Sequence, residues 1–298
     1  MKNKITCLLA GAALFGATAN AEIALADGLS ASGYIDINAA DASDGTNRTF
    51  DSTEFEIGLN FAPAESAWTA TAELSYETSG DSSATNLETV AITYQHTDAL
   101  SLTFGRVYTY MGLESHDAPD NYFITYAGES ADLYSANFAD GICVDYSAGD
   151  ISLGIWSDAV SAASFEYYAS YSGIENLTLA VAVADNEGPS ETTNIMATYE
   201  FGDFTIMAEN VDSEGFGSDL DLDITSVTVA YSMGDTTLAV RAVDGEYGDA
   251  VTEDYEKISV SAFHALSDNV AVGVEFSEEE VGNADAVDGF AAELLYVF

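Results

Sequence analysis

Carboxylates are the chemically active groups that this sequence has in excess. The 298 residues contain 51 Asp and Glu but only 6 Lys and Arg, which gives a formal net charge of −45 at pH 7. Binding to nucleic acid is excluded, because neutralising phosphates requires clustered Lys and Arg. The excess predicts either adaptation to high salt, where screening removes self-repulsion, or an anionic pathway or surface that prefers cations.

Many of these carboxylates recur at every second position, between apolar residues. Such alternation places the two sets on opposite faces of a strand. If the apolar face contacts lipid, the other face lines an interior whose acids are Asp36, Glu54, Glu56, Glu73, Asp145, Glu166, Glu200, Glu209, Glu275 and Glu293. The bases on that face are Arg241 and Lys257. Because unpaired charges are costly in a dry interior, we expect this interior to be wet, that is, a channel.

A second group of carboxylates lies where the alternation stops, from residue 104 onwards. Its members are Glu114, Asp117, Asp120, Glu129 and Asp132. A loop of this length inside regular β structure is usually functional, and folded into a channel it would form a constriction that favours cations. Arg241 and Lys257 would then form an opposing basic wall. The alternative is a solvated exterior loop.

Arg106 lies at the root of this segment and has two candidate placements. It shares parity with Leu102 and Phe104, on the lipid-facing side, where a charge is costly at mid-bilayer. Gly105 favours a β-bulge that turns Arg106 into the lumen, and we count Arg106 among the lumen-facing residues on that basis. Without the bulge, Arg106 would lie at the level of the outer headgroups.

Other groupings of reactive side chains carry weaker signals. His96, His116 and His264 show no zinc-ligand spacing. His264 follows Ser259 and Ser261, but no nucleophile motif surrounds them. The acidic stretches Asp219–Asp223 and Ser277–Glu280 could bind Ca²⁺ loosely, although they lack the Gly-centred order of an EF-hand and are explained equally by solvated loop tips. We expect no other cofactor.

The elements that position these residues are β-strands, since helical periodicity is nearly absent. Short links such as Gly202–Asp203 alternate with long polar links such as Ala39–Asp51, Thr78–Asn86 and Ser213–Asp221. This sorting predicts an all-β, transmembrane, antiparallel up-and-down barrel of about sixteen strands. The strands begin near Leu29, Thr53, Ala67, Leu87, Leu100, Gly141, Ile151, Phe165, Leu177, Asn194, Phe204, Leu222, Thr236, Lys257, Asn269 and Asp288. Leu133–Phe138 is not counted, because an added strand would make the number odd.

The two ends of the chain are typical of an exported barrel. Lys2 and Lys4, the apolar run Cys7–Phe15 and the small residues Ala19–Ala21 predict a removable signal peptide over residues 1–21 and a mature barrel domain over 22–298. No later apolar run is long enough for a transmembrane helix. The last strand ends on Phe298, as expected for an aromatic girdle at the bilayer edge.

The sequence GRVYTYMGLE (Gly105–Glu114) followed by APDNYF (Ala118–Phe123) resembles the signature of the OmpL-like β-barrel porin family of bacterial outer membranes. That signature has a Gly-basic-aromatic strand end, a Gly-x-Glu and an Ala-Pro-x-Asn-aromatic loop. The match covers residues 104–126 and extends weakly to 141–147. Ile124–Tyr126 departs from the family pattern, so the resemblance implies no particular solute.

The resemblance implies passive diffusion of small hydrophilic solutes and ions through a bacterial outer membrane. In general porins the third long loop folds into the lumen, and here that loop begins at residue 104. Sixteen-stranded porins in general imply a homotrimer, embedded in outer-membrane lipids and lipopolysaccharide. The acidic lumen adds a preference for cations.

Three other functions stay open at this point. The first is a structural or adhesive outer-membrane barrel whose acidic loops bind divalent cations, lipopolysaccharide or a partner. The second is an outer-membrane hydrolase that uses His264 with a neighbouring serine. The third is a soluble secreted β-sandwich, which would be extracted without detergent.

Overall fold

The computed structural model describes residues 22–42, 52–79, 82–127, 138–158, 164–185, 191–215, 220–248, 252–283 and 285–298. These residues form one 17-stranded antiparallel sheet, and their only helical element is a 3-10 turn at Ala118–Asp120. The strands are β1 Ile23–Ala26, β2 Leu29–Ala42, β3 Ser52–Phe61, β4 Trp68–Ser79, β5 Ser82–Gln95, β6 Leu100–Tyr108, β7 Phe138–Ala148, β8 Ile151–Asp158, β9 Phe165–Ile174, β10 Leu177–Asp185, β11 Glu191–Phe201, β12 Phe204–Gly215, β13 Leu220–Met233, β14 Thr236–Gly248, β15 Thr252–Ser267, β16 Val270–Val281 and β17 Val287–Val297. Within this part of the chain, no helix is long and apolar enough to cross a membrane.

Strands β2 to β17 close into a 16-strand barrel, because β17 pairs with β2 and β9 pairs with β10. The predicted fold class and strand number are therefore confirmed, and each predicted start lies in or next to one of these strands. The signal peptide predicted over residues 1–21 and nearly all of the uncounted stretch Leu133–Phe138 lie outside the described residues. Phe138 begins β7.

The sequence did not predict β1. This short strand pairs with the start of β2, with Ile23 opposite Ala31. Further along the same edge of β2, the Gly33 amide donates to the Phe298 carbonyl at 2.9 Å, where β17 ends. The first and last strands therefore lie end to end along one edge of β2, and β1 adds no wall position to the barrel.

The two ends of the barrel differ in how the strands are joined. At one end, Gly149, Gly202 and Gly234 adopt φ values of 61, 61 and 60°, as tight hairpin turns require. At the other end, the strands run further than predicted: β4 and β5 still pair at Ser79 and Ser82, inside the predicted loop Thr78–Asn86. Backbone pairing continues there because a strand ladder does not require apolar side chains.

The outer surface carries the apolar set of the alternation, bounded by aromatic residues. Near the short turns, the rings of Trp68 and Tyr94 are 4.7 Å apart, and towards the long loops those of Phe276 and Phe290 are 4.9 Å apart. Eight residues separate Phe290 from Phe298, which is roughly 27 Å at the rise of an extended strand. An apolar band between two aromatic girdles is the surface of a transmembrane barrel.

The alternation changes polarity towards the long-loop ends of the strands. On β13, the exposed Val227 and Val229 face outwards near the short-turn half, whereas the exposed Asp223 faces outwards beyond them. At this higher level, Leu222 and Ile224 face inwards and are buried. The outer apolar band therefore ends near Thr225, and an apolar wall begins inside the barrel.

Candidate pore constriction

The described part of the third long loop, residues 109–127, lies inside the barrel. Its root is fixed by Glu166 of β9, which accepts hydrogen bonds from the Thr109 hydroxyl at 2.8 Å and from the Tyr110 amide. The Tyr110 hydroxyl donates to Asp145 of β7 at 2.5 Å. Two carboxylates predicted to face the lumen thus bind the loop as it enters.

The loop then crosses the lumen along the wall formed by β11 and β12. The Gly112 amide donates to the Asn194 side chain at 3.0 Å, and the Leu113 amide donates to Glu209 at 3.2 Å. Side chains of the wall thus accept hydrogen bonds from backbone amides that would otherwise donate to water.

Apolar packing holds the same stretch of loop against the upper wall. The loop residues Tyr110, Met111 and Ala127 share one buried cluster with inward-facing residues of β10 to β15, which are Ala180, Ala182, Met196, Val211, Leu222, Ile224, Val243 and Tyr255. A water-filled lumen does not require these apolar residues. The sequence signal that could have revealed this wall is the switch of the apolar residues of β13 from even positions, Leu222 and Ile224, to odd positions, Val227 and Val229.

Arg241 of β14 is the central anchor of the loop and is only 1% exposed. It forms an ion pair with Glu114 and donates to the carbonyl oxygens of Thr125 at 2.8 Å and Tyr126 at 3.0 Å. Its guanidinium lies 4.3 Å from the centroid of the Phe123 ring. Such a planar, multiply bonded contact is one that Arg provides and Lys does not.

Two neighbours of Arg241 on the wall complete the anchor. Glu275 of β16 accepts hydrogen bonds from the Ile124 amide at 2.7 Å, the Thr125 amide at 2.8 Å and the Thr125 hydroxyl at 2.7 Å. Lys257 of β15 donates to the Tyr126 carbonyl at 2.8 Å. The returning half of the loop is therefore fixed to three adjacent strands.

The structure corrects the expected role of the two lumen bases. Arg241 and Lys257 do face inwards, on adjacent strands, but both contact the loop itself. These two residues therefore do not form a basic wall that faces the loop acids across open water. Glu114, predicted as a constriction acid, forms an ion pair with Arg241 and also accepts a hydrogen bond from the Ala127 amide at 2.9 Å.

The tip of the loop is a compact turn built on the Ala-Pro-x-Asn motif. The Asn121 side chain accepts from the Ser115 amide at 2.8 Å and donates to the Ser115 carbonyl at 2.7 Å. Pro119 lies in the 3-10 turn between them. This closure holds His116, Asp117 and Asp120 at the tip, facing strands β2 to β5.

The wall opposite the tip carries carboxylates without Arg or Lys among the described residues. Glu54, Glu56 and Glu73 face inwards there, as predicted. Glu88 joins them, with its Oε1 atom 3.4 Å from Nε2 of His116. Sequence alternation missed Glu88, because a register shift between Ala72 and Leu74 changes the pairing of β4 with β5.

Three side chains of the loop tip have a shifted pKa. Against the effect of burial, the hydrogen bond and the charge of Glu88 raise the pKa of His116 to about 9. Burial, together with the neighbouring charge of Asp120, raises the pKa of Asp117 to about 8. Burial also raises the pKa of Asp120. At neutral pH the tip therefore carries an imidazolium next to an Asp117 that is mostly protonated.

Arg106 does not face the lumen, which corrects our prediction. The β5–β6 ladder ends at Arg106 and the β6–β7 ladder runs through it, both without a register shift, and Val90 lies opposite it on the outer face. Its Nε donates to the Leu87 carbonyl at 2.8 Å near the outer end of β6. Gly105 is required for another reason than a bulge: it has φ +131°, and a Cβ there would collide with the Val90 carbonyl.

The residues of the hydrolase alternative and the acidic stretches predicted to bind Ca²⁺ lie apart from this site. Ser259 and Ser261 are buried and face inwards, whereas His264 is exposed on the outer face of the same strand, so they do not meet. Asp221 and Asp223, and Glu278 and Glu280, are exposed on the outside, while Glu279 faces inwards 3.3 Å from Lys257. Glu129, Asp132 and Asp219 lie outside the described residues.

The comparison with protein families gives one match, described as "Gram-negative porin", over residues 8–284. No curated protein matches the sequence significantly.

Solved structures of porins share the fold at low sequence identity. OmpF of Salmonella typhi, in complex with daunomycin, has a TM-score of 0.73 and 15% identity over 93% of this chain and 100% of that chain. OmpT of Vibrio cholerae has a TM-score of 0.69 and 14% identity over 93% of this chain and 100% of that chain. An anion-selective porin from Comamonas acidovorans has a TM-score of 0.69 and 14% identity over 91% of this chain and 99% of that chain.

Proposed function

Because the chain belongs to the Gram-negative porin family, we propose that its outer-membrane channel passes small hydrophilic solutes and prefers cations to anions. The family match confirms the bacterial porin predicted from Gly105–Phe123. Family and fold point to a channel and not to an enzyme. The ion preference is the part that rests on this chain's own residues.

The distribution of charge around the loop carries the proposal. On the side of β9 to β16, the wall carboxylates are bound to loop amides, and Arg241 and Lys257 are bound to loop oxygens. The positive charges of Arg241 and Lys257 are therefore bound to the loop. On the side of β2 to β5, the wall carboxylates face Asp117 and Asp120 of the tip. Among the described residues, His116 is the one cationic side chain that lies between the tip and this wall. A solute that passes beside the tip and this wall meets a field that favours cations, and increasingly so as Asp117 loses its proton with rising pH.

The fold by itself does not set this preference. The porin from Comamonas acidovorans has a similar fold and is anion-selective. Selectivity is therefore argued from the charged residues at the narrow level, as for other channels. We propose Asp117 and Asp120, together with Glu54, Glu56 and Glu73 of the wall, as the residues that set it. Glu129 and Asp132 remain candidates from the sequence.

We further propose a homotrimer embedded in outer-membrane lipids and lipopolysaccharide. The exposed apolar band between the two aromatic girdles supports contact with lipid. The proposal of a trimer rests on the general behaviour of sixteen-stranded porins, and chemical cross-linking in mild detergent would test it.

A second function, adhesion through bridging cations, is favoured by the outer surface above the apolar band. Glu256 of β15 lies directly opposite Asp244 of β14 on one side and Glu280 of β16 on the other. All three are exposed on the outer face. Like charges directly opposite one another destabilise a sheet. Divalent cations that bridge these carboxylates to lipopolysaccharide phosphates would reduce this repulsion. This binding and the channel function are compatible.

Planar bilayer recording separates the two proposals. A porin gives stepwise increases in conductance as purified protein inserts, whereas a purely structural barrel gives none. In a KCl gradient, the sign of the reversal potential then reports whether cations or anions carry more current. Stepwise conductance with anion preference would reject the ion preference while leaving the channel intact.

A further inference from the structure

Three wall carboxylates converge on one point of the lumen surface, beside the loop tip. Glu54 and Glu56 project from β3 and Glu88 from β5, and each offers an oxygen within 4.8 Å of the oxygens of the other two. Glu56 is 6% exposed and Glu88 is 2% exposed, so two of the three are almost completely buried. We refer to Glu54, Glu56 and Glu88 as the wall triad.

Two members of the wall triad each have a buried oxygen that accepts no hydrogen bond from the described residues. These atoms are Oε1 of Glu54 and Oε2 of Glu56. The third member, Glu88, has its Oε1 atom 3.4 Å from Nε2 of His116. Buried carboxylate oxygens are costly unless they are paired, hydrogen-bonded or bound to a metal. The convergence of two unpartnered oxygens and a third carboxylate therefore calls for a ligand.

The strand between them explains how the carboxylates approach so closely. Ser75 of β4 lies opposite Glu56 and is completely buried. Its short side chain leaves room above β4 for the carboxylates of β3 and β5. The register shift in the β4–β5 ladder then turns Glu88 towards β3. The site is thus built by the backbone and does not depend on mobile surface side chains.

We propose that the wall triad binds a calcium ion. All three ligands are carboxylate oxygens, which hard divalent cations prefer, and Ca²⁺ binds oxygen at 2.3–2.6 Å. The three oxygens lie within 4.8 Å of one another, which is close enough for one Ca²⁺ to reach all three, since two oxygens on opposite sides of Ca²⁺ are about 4.6–5.2 Å apart. Mg²⁺ binds at 2.0–2.1 Å in near-ideal octahedral geometry and usually retains several waters. Because Mg²⁺ is usually held by only one or two carboxylates, a site of three carboxylates suits it less well.

A second grouping, formed by Glu77, Glu88 and His116, competes for the same Glu88. Its mixed nitrogen and oxygen donors would suit a transition metal. However, Oε1 of Glu77 already accepts a hydrogen bond from Asn86 at 2.8 Å. In the all-carboxylate triad, Oε1 of Glu54 and Oε2 of Glu56 are buried without a hydrogen-bond partner among the described residues, and we therefore assign the site to it. The assignment rests on wall geometry, but Glu54 and Glu56 also belong to the proposed ion preference of the channel. Ion selectivity is therefore recorded with a chelator present, so that the failure of one proposal can be told from the failure of the other.

Tyrosine-sensitised terbium luminescence provides the test, because Tb³⁺ substitutes for Ca²⁺ and Tyr34 lies opposite Glu56 in the β2–β3 ladder. The experiment uses the full barrel in detergent, in high salt that suppresses loose binding to exposed acids. We expect one saturable signal that Ca²⁺ displaces. Tyr34→Phe should reduce the luminescence yield without changing the concentration of Ca²⁺ needed in calorimetry.

The decisive variant is the double substitution Glu56→Gln, Glu88→Gln. Its control is Glu200→Gln on another part of the wall. Removing two ligand charges should weaken the binding of Ca²⁺ by roughly tenfold or more, since affinity follows ligand charge. Glu200→Gln should leave it unchanged. Heat-modifiable mobility on gels checks that each barrel is folded, and Glu54→Gln replaces the double variant if that one does not fold.

His116→Gln distinguishes the two groupings that share Glu88. The calcium site predicts equal or tighter Ca²⁺ binding in this variant, because a neighbouring cation is removed. Three results would overturn the proposal: no saturable site in the native barrel, an unchanged site after the Glu56 and Glu88 substitutions, or a site that requires His116 and selects Zn²⁺ over Ca²⁺.

Discussion

Arg241 and Glu114 form an ion pair inside the barrel although they are 127 residues apart in sequence. The pair joins the third long loop to β14, and the same guanidinium also binds two carbonyl oxygens of the returning loop. The position of the loop in the lumen therefore depends on one basic side chain more than on any other residue of the described wall.

Replacement of Arg241 should release the loop. Arg241→Met leaves Glu114 and Glu275 without their buried cation, and removing one partner of a buried pair costs about 3–5 kcal/mol. We expect a lower temperature of barrel unfolding and a larger, noisier single-channel conductance.

Arg106→Met is the matched control for this substitution, because Arg106 lies on the outer face. It removes the same type of side chain from the outer face and leaves the contacts of the described loop residues in place, so the conductance should stay at the native value. Equal conductance changes in both variants would show that Arg241 does not hold the constriction.

The preference for cations should increase with pH between 7 and 10. Asp117, with a pKa raised by burial to about 8, gains a negative charge over this range. His116, with a pKa raised by Glu88 to about 9, loses a positive charge. Both changes make the tip more negative, and a unit charge at 4 Å is worth about 1 kcal/mol even in water.

Reversal potentials recorded across this range measure the effect. In His116→Gln the increase should be smaller and should be shifted to higher pH, since the charge of His116, which lowers the pKa of Asp117, is removed. A preference that does not vary from pH 7 to 10 would mean that the tip does not face the permeation pathway.

The row of outer-face carboxylates should destabilise the barrel at low ionic strength. Glu256 lies between Asp244 and Glu280 on adjacent strands. Glu256→Gln should stabilise the barrel by roughly 0.2–1 kcal/mol, as for other like-charge pairs across strands. The gain should disappear in 1 M NaCl or with Ca²⁺ added.

Thermal unfolding of the folded barrel in detergent provides this measurement, with Glu175→Gln as the control at the short-turn end. If Glu256→Gln is neutral or destabilising at low salt, the outer acids do not repel one another enough to require bridging cations.

The barrel could be predicted from the sequence because its signals are local. Alternation has a period of two residues, and turns such as Gly202–Asp203 are read directly. The long loop could be recognised for the same reason, as a break in that alternation. Strand β1 could not, because its four residues, Ile23–Ala26, are too few to show a period.

The site was less predictable because its contacts are not local. Alternation gave the correct face for Arg241 and Lys257 but not the loop that binds them. It missed Glu88, because a register shift in one ladder alters which residues share a face. It also misled us on Arg106, because Gly105 supports close backbone approach and not a bulge.

The most direct test of the account is the reversal potential of the channel when the loop tip is neutralised. At pH 9 in a KCl gradient, with a chelator present, the native protein should show cation over anion permeability well above one. The double variant Asp117→Asn, Asp120→Asn should bring the ratio closer to one, whereas Glu200→Gln should change it little. A native channel that prefers anions, or a preference unaltered by the Asp117 and Asp120 substitutions, would contradict an acidic constriction at this loop.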